Sequence, residues 1–94
     1  MYYTVRCDIA HGKQEAMDSL MERMKAFWMA QPGVNGFHVY NDMMEGWPER
    51  TVMVEVEDMA CLQRIMGTPE RKQLRHEFMD MAVSVQSQMV DMMM

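Results

Sequence analysis

Between Lys13 and Gln31 the apolar residues Met17, Leu20, Met21, Met24, Phe27 and Trp28 recur at spacings of three and four. That spacing gathers them on one stripe of a helix. Glu15, Asp18, Ser19, Glu22, Arg23 and Lys25 fill the rest of the wheel. A helix with so continuous an apolar stripe must lie on a broad apolar surface. Strand patterns on either side of it supply one. From Tyr2 to Ala10 the chain alternates, with Tyr3, Val5, Cys7 and Ile9 facing one way and Tyr2, Thr4, Arg6 and Asp8 the other, as in a strand with one buried side. His11-Gly12 turns this strand into the helix, and Gln31-Pro32-Gly33 ends the helix, because proline cannot continue it and glycine accepts a left-handed turn.

Val34 to Asp42 reads as a second strand, with Phe37 and Val39 on one face and His38 and Tyr40 on the other. Met43 to Glu49 contains Gly46 and Pro48 and reads as a loop. Arg50 to Glu57 alternates most clearly, Val52, Val54 and Val56 against Thr51, Met53, Glu55 and Glu57, and forms a hairpin with the second strand. Asp58 caps a short helix through Met66, in which Leu62, Ile65 and Met66 face inward; Gly67 breaks it. Thr68-Pro69 opens another helical piece with Leu74, Phe78 and Met81 on one stripe. Ala82 to Val90 alternates again, Val83, Val85, Ser87 and Met89 against Ser84, Gln86 and Gln88, which predicts a fourth strand. The competing reading continues the helix from Met79 to Met94, since Gln and Met favour helices.

The predicted order is β-α-β-β-α-β: an α+β, ferredoxin-like domain with a four-stranded antiparallel sheet and both helical connections on one face. The apolar halves of the strands, Val83 included, are assigned to that face. The other face carries Thr4, Arg6, Asp8, His38, Tyr40, Thr51, Met53, Glu55, Ser84, Gln86 and Gln88. It is polar without being purely solvent-like, so it is either bare or meets a second sheet.

Composition narrows the function. The 94 residues fit one domain, with 49% apolar residues, 24% charged and a net charge of −5. A domain this small buries only about two-thirds of its unfolded surface and gains from a partner. No basic run favours nucleic acid or an anionic membrane, and no apolar run reaches the length of a membrane span. The start, MYYTVRCDIA, lacks the charged-then-apolar order of a signal peptide, so the cytoplasm is the expected location. Cys7 and Cys61 are far apart and form no CxxC pair, which points to two buried, reduced thiols. Methionine is abundant, at 16 residues, but its only runs are Met43-Met44 and Met92-Met93-Met94. A thioether metal site needs Met gathered with His or Cys; Met on apolar stripes is ordinarily core. No metal and no cofactor are expected.

Three stretches carry a resemblance: "QPGVNGFHVYND", "ERTVMVEVEDMACLQRIMGTPERKQL" and the closing alternating strand. With the first strand and helix, they make nearly the whole chain similar to the dimeric α+β barrel superfamily, in particular its antibiotic-biosynthesis-monooxygenase-like branch. The resemblance implies a homodimeric barrel in which two ferredoxin-like sheets pack face to face with the helices outside. It also implies a ligand cavity between helices and sheet of one subunit. Carried onto this chain, that cavity is lined by Tyr3, Val5, Cys7, Met24, Trp28, Phe37, Val54 and Phe78, and suits a flat aromatic or quinone-like compound. The same side chains would equally serve as a filled core.

The sequence departs from the branch in specific places. Many relatives carry Glu and Trp two residues apart on the third strand, where this chain has Val54 and Val56. Haem-degrading relatives use an Asn on the first strand, and a Trp and a His on the second helix. Here Cys7 and Ile65 stand near the first two positions and only His76 answers to the third. His76 lies on the wheel away from the Leu74–Phe78–Met81 stripe, which argues against haem degradation.

A cofactor-independent oxygenase needs a base to make an electron-rich anion and donors to hold it. His38, Tyr40 and His76 are the candidate catalytic groups. Parity sends His38 and Tyr40 to the sheet face opposite the helices, and His11 sits in a turn. Arg6 and Glu55, on neighbouring strands, are candidate interface charges that pair within or across the dimer. Trp47, apolar surface in a loop, is a candidate dimer contact. No phosphate loop, HExxH, GxSxG or zinc spacing is present. Two functional expectations follow: a small-ligand-binding, monooxygenase-like dimer, and a non-catalytic dimeric interaction module.

Overall fold

The computed structural model describes residues 1–94. Its strands are β1 (Tyr2–Ile9), β2 (Val34–Asn41), β3 (Arg50–Val56) and β4 (Ala82–Val90), and its helices are α1 (Gln14–Met29), α2 (Met59–Met66) and α3 (Pro69–Met81). The sheet is antiparallel with strand order β2-β3-β1-β4, so β1 and β3 are central and β2 and β4 are edges. This is the ferredoxin-like arrangement, with the second helical connection divided in two. The division lies where the sequence placed it. Gly67 closes α2, and Thr68 accepts from Arg71 N with Pro69 in the first turn of α3. Asp58 caps α2 by accepting from Cys61 N at 2.8 Å.

The helices lie on the Tyr3–Val5–Cys7 side of the sheet. Met17 and Leu20 of α1, Val54 of β3, Ile65 of α2 and Phe78 of α3 are at most 1% exposed. The α1 stripe is buried as its spacing requires, with Met24 and Phe27 half-buried at its edge. The turn from α1 into β2 is fixed by Gly33. Its φ is +88°, and a Cβ there would stand 2.7 Å from Cys61 Sγ. Only glycine satisfies both conditions without moving α2. Both cysteines are buried and unbridged.

The molecule measures 35 × 35 × 18 Å. The thin dimension is that of one helix layer on one sheet, so the second sheet face has no cover from its own chain. It presents Tyr40 at 52% exposure and Val83 at 47%, with Tyr2, Met53 and Val90 half-buried among polar residues.

Val83 corrects one expectation. It was assigned to the helix side, but it pairs with Asp8 on the bare face. The register of β4 against β1 shifts between Arg6 and Asp8, and Ser84 at the shift has φ +55°. An extra residue in one strand reverses which side the residues beyond it face. The register of β3 against β1 removes one of the two alternatives for Arg6 and Glu55. Arg6 lies opposite Thr51 whereas Glu55 lies opposite Tyr2, too far along the strands for an ion pair within one copy. Arg6 Nη1 instead donates to Gln88 Oε1 at 2.6 Å. The closing segment is a strand, not an extension of α3: Ala82 is extended at ψ 148° and ends the helix.

Candidate functional site

Four elements meet at an apolar slot on the helix side. β1 and β3 supply Tyr3, Val5, Val52 and Val54; α1 supplies Met24 and Trp28; α3 supplies Leu74 and Phe78 with Arg71 and Arg75. The α3 residues follow an i, i+3, i+4, i+7 pattern, so the two guanidinium groups stand on the same face as the apolar pair. The Tyr3 and Trp28 rings are tilted by 34° with centroids 6.1 Å apart, and Phe27 packs edge-on against Trp28 at 5.9 Å. Arg71 Nη2 lies 3.5 Å from the Tyr3 hydroxyl, at the outer limit of a hydrogen bond. The Arg75 guanidinium sits 5.5 Å above the Phe78 ring. The space left inside is about 20 Å³, room for roughly one water molecule. The slot is closed to anything larger.

Of the residues expected around a cavity, Tyr3, Val5, Met24, Trp28, Val54 and Phe78 converge on this slot, and Cys7 and Phe37 do not. Cys7 is fully buried beneath the helices. Burial pushes its thiol up to about 11, against a smaller opposing pull from Arg50, so it is not a nucleophile at neutral pH. Phe37 lines a separate groove between α1 and β2. His38 and Tyr40 lie on the bare face, exposed, with ring centroids 6.3 Å apart. His76 points to solvent, with Nε2 3.9 Å from Asp80 Oδ2. None of the three imidazole or phenol groups named as catalytic candidates lines the slot. Trp47 is 45% exposed in the β2–β3 loop. No group of three or more His, Cys, Asp or Glu converges anywhere in the chain. The two Met runs lie at opposite ends of the sheet, since β4 ends beside Tyr2 while the β2–β3 loop lies beside the end of β1.

Two features were missed. Arg71 and Arg75 share the Leu74–Phe78 stripe, a signal present in the spacing. Arg50 belongs by parity with Val52, Val54 and Val56, and it is buried on the helix side, 7% exposed. On the solvent side α1 and α3 are joined by a fork. Arg23 donates to both Glu77 oxygens at 2.7 and 3.1 Å, which holds the Glu77 carboxyl below its ordinary range.

The sequence matches no protein-family model and no curated protein. Solved structures do match across nearly the whole chain. A candidate antibiotic biosynthesis monooxygenase from Nitrosomonas europaea is 17% identical, with 98% of this chain and 88% of that one aligned at a TM-score of 0.81. SnoaB, a cofactor-independent oxygenase from Streptomyces nogalater, is 14% identical over 97% of this chain and 92% of its own, TM-score 0.79. The fold is that of the antibiotic biosynthesis monooxygenase-like proteins. The Mycobacterium tuberculosis protein Rv0793 superposes equally completely, at 15% identity, 99% and 97% coverage and a TM-score of 0.76. At these identities the likeness establishes the ferredoxin-like fold of the single chain. No helix in the chain is long and apolar enough to cross a membrane.

Proposed function

We propose that the chain is a homodimer subunit that binds a flat aromatic compound carrying an acidic phenolic or enolic oxygen in the slot, and oxygenates it without metal or flavin. One observation carries this reading: a guanidinium and a phenol, Arg71 and Tyr3, meet at the mouth of a slot whose other walls, Arg75 apart, are apolar. Apolar walls fit the faces of fused rings, and the two donors fit one anionic oxygen. The only ionisable side chains lining the slot are Tyr3, Arg71 and Arg75. No imidazole and no carboxylate stands among them. The proton must therefore leave by the substrate's own acidity, which two neighbouring cations increase.

The anion then reduces O₂. In an anthrone-like substrate the ring methylene loses two hydrogens and gains one oxygen as a ketone, and the second oxygen atom leaves as water. In this reading His38, Tyr40, Arg6, Glu55 and Trp47 belong to the contact with a second copy. Access requires α1 and α3 to part, against the exposed Arg23–Glu77 fork and the half-buried Met24 and Leu74 side chains.

The volume of about 20 Å³ favours a second reading, a non-catalytic dimeric module with a filled core. Melting temperature and oxygen consumption with a panel of anthrones, naphthols and quinols separate the two. Stabilisation by phenolic members together with oxygen uptake supports the oxygenase. Stabilisation without uptake leaves a binding protein, and neither response leaves the non-catalytic module.

A further inference from the structure

A second opening lies on the other side of α1. Asp18, Met21, Glu22 and Lys25, one i, i+3, i+4, i+7 stripe of α1, form one wall of a groove of about 480 Å³. Phe37, Val39 and Asn41 of β2 form the other, with Arg50 at the floor. This volume lies within the range of small-molecule sites, unlike the closed slot. Met21 and Phe37 are buried and Val39 is 39% exposed, so the groove has a narrow apolar bed beside a cation, within a mainly polar lining.

Arg50 is under-used for a buried guanidinium. Its Nε donates to Asn41 Oδ1 at 2.9 Å. Its Nη1 is buried without an aligned hydrogen-bond acceptor, although Asp18 Oδ1 stands 2.6 Å away in ionic contact. Asp18 is itself 63% exposed. An exposed carboxylate therefore sits, without hydrogen-bond alignment, where a planar bidentate acceptor fits. Burying a cation with unfilled donors is costly, and a better-aligned carboxylate from a ligand relieves that cost.

We propose that the α1–β2 groove is a binding site for a small organic carboxylate with an apolar tail, which seats on Arg50 in place of Asp18. The apolar bed holds the tail and Asn41 keeps the guanidinium plane turned toward the groove. Lys25 at the rim adds a second positive charge, while Glu22 sets a limit of one negative charge on the ligand. This site shares no residue with the slot.

The test is an NMR titration of the full chain at pH 7 with octanoate and with octanamide, which has the same tail and no charge. Octanoate is expected to shift the backbone amides of Asp18, Asn41 and Arg50, and octanamide to leave them in place. Asp18→Asn removes the competing carboxylate and should tighten octanoate binding about two- to fivefold, the range set by an exposed ion pair. Arg50→Gln should abolish it. If that variant does not fold, Asp18→Asn still decides. Equal binding of the amide, shifts confined to Tyr3 and Trp28, or octanoate binding unchanged or weakened in Asp18→Asn would each overturn the site.

Discussion

Arg71→Met tests the slot chemistry most sharply, because it changes charge while keeping an apolar stem of similar length. The Arg71–Tyr3 contact is 3.5 Å long, and a hydrogen bond stretched to that limit on a partly exposed guanidinium contributes well under about 1 kcal/mol. Unfolding free energy should therefore move by less than about 0.5 kcal/mol. A bound phenolate changes the balance. A hydrogen bond to a charged group contributes about 1.5–3 kcal/mol, so the variant should bind an ionised ligand about 10- to 150-fold more weakly. A neutral analogue of the same shape should bind as before. Alizarin and its 2-O-methyl ether make such a pair. Trp28 is 3% exposed and forms a wall of the slot, so its quenching reports occupancy once Trp47→Phe removes the second indole. Equal losses for both ligands, or no loss for either, would refute the assignment of Arg71 and Tyr3 to an anionic oxygen.

Gly33→Ala should cost about 2–4 kcal/mol in urea denaturation, from the left-handed φ and the contact with Cys61 Sγ together; adding Cys61→Ala should recover only the contact part. Cys7 should make stability fall between pH 9 and 11. Its unfolded thiol ionises near 9.0 and its folded thiol near 11, so stability from this group is complete below pH 9 and is lost above it at up to about 1.4 kcal/mol per pH unit. Denaturation of Cys7→Ala should lack that component of the slope. Tyr40→Asp places a charge on the bare sheet face at a site 52% exposed in one copy. It should leave the melting of the isolated subunit unchanged and weaken self-association at least about 30-fold, the effect of losing an interface anchor of about 2 kcal/mol.

The parts of this fold with strong periodicity were legible in the chain. The α1 stripe, the Val52–Val54–Val56 alternation and the Gly67-Thr68-Pro69 break each match the structure because one local rule decides each of them. Val83 was misread because a bulge is not written in alternation. Ser84 inserts a residue and reverses the faces, and nothing in Ala-Val-Ser-Val announces it. Arg50 and the pair Arg71 and Arg75 were legible but passed over, since charged residues on an apolar stripe are read by default as solvent-facing. Their parity and helical spacing already put them on the buried side. Arg6 and Glu55 required the register between β1 and β3, which depends on the whole sheet. Whether apolar side chains enclose a cavity or fill a core depends on gaps of a few tens of cubic ångströms, far below what residue type and spacing encode.

Both the slot and the groove lie on the helix side, which leaves the other sheet face free for the proposed second copy. Sedimentation equilibrium at micromolar concentration measures this directly. The expected result is a single species of twice the 11.1 kDa chain mass, dissociating in Tyr40→Asp. A wild-type protein that remains at 11.1 kDa across that concentration range would contradict it.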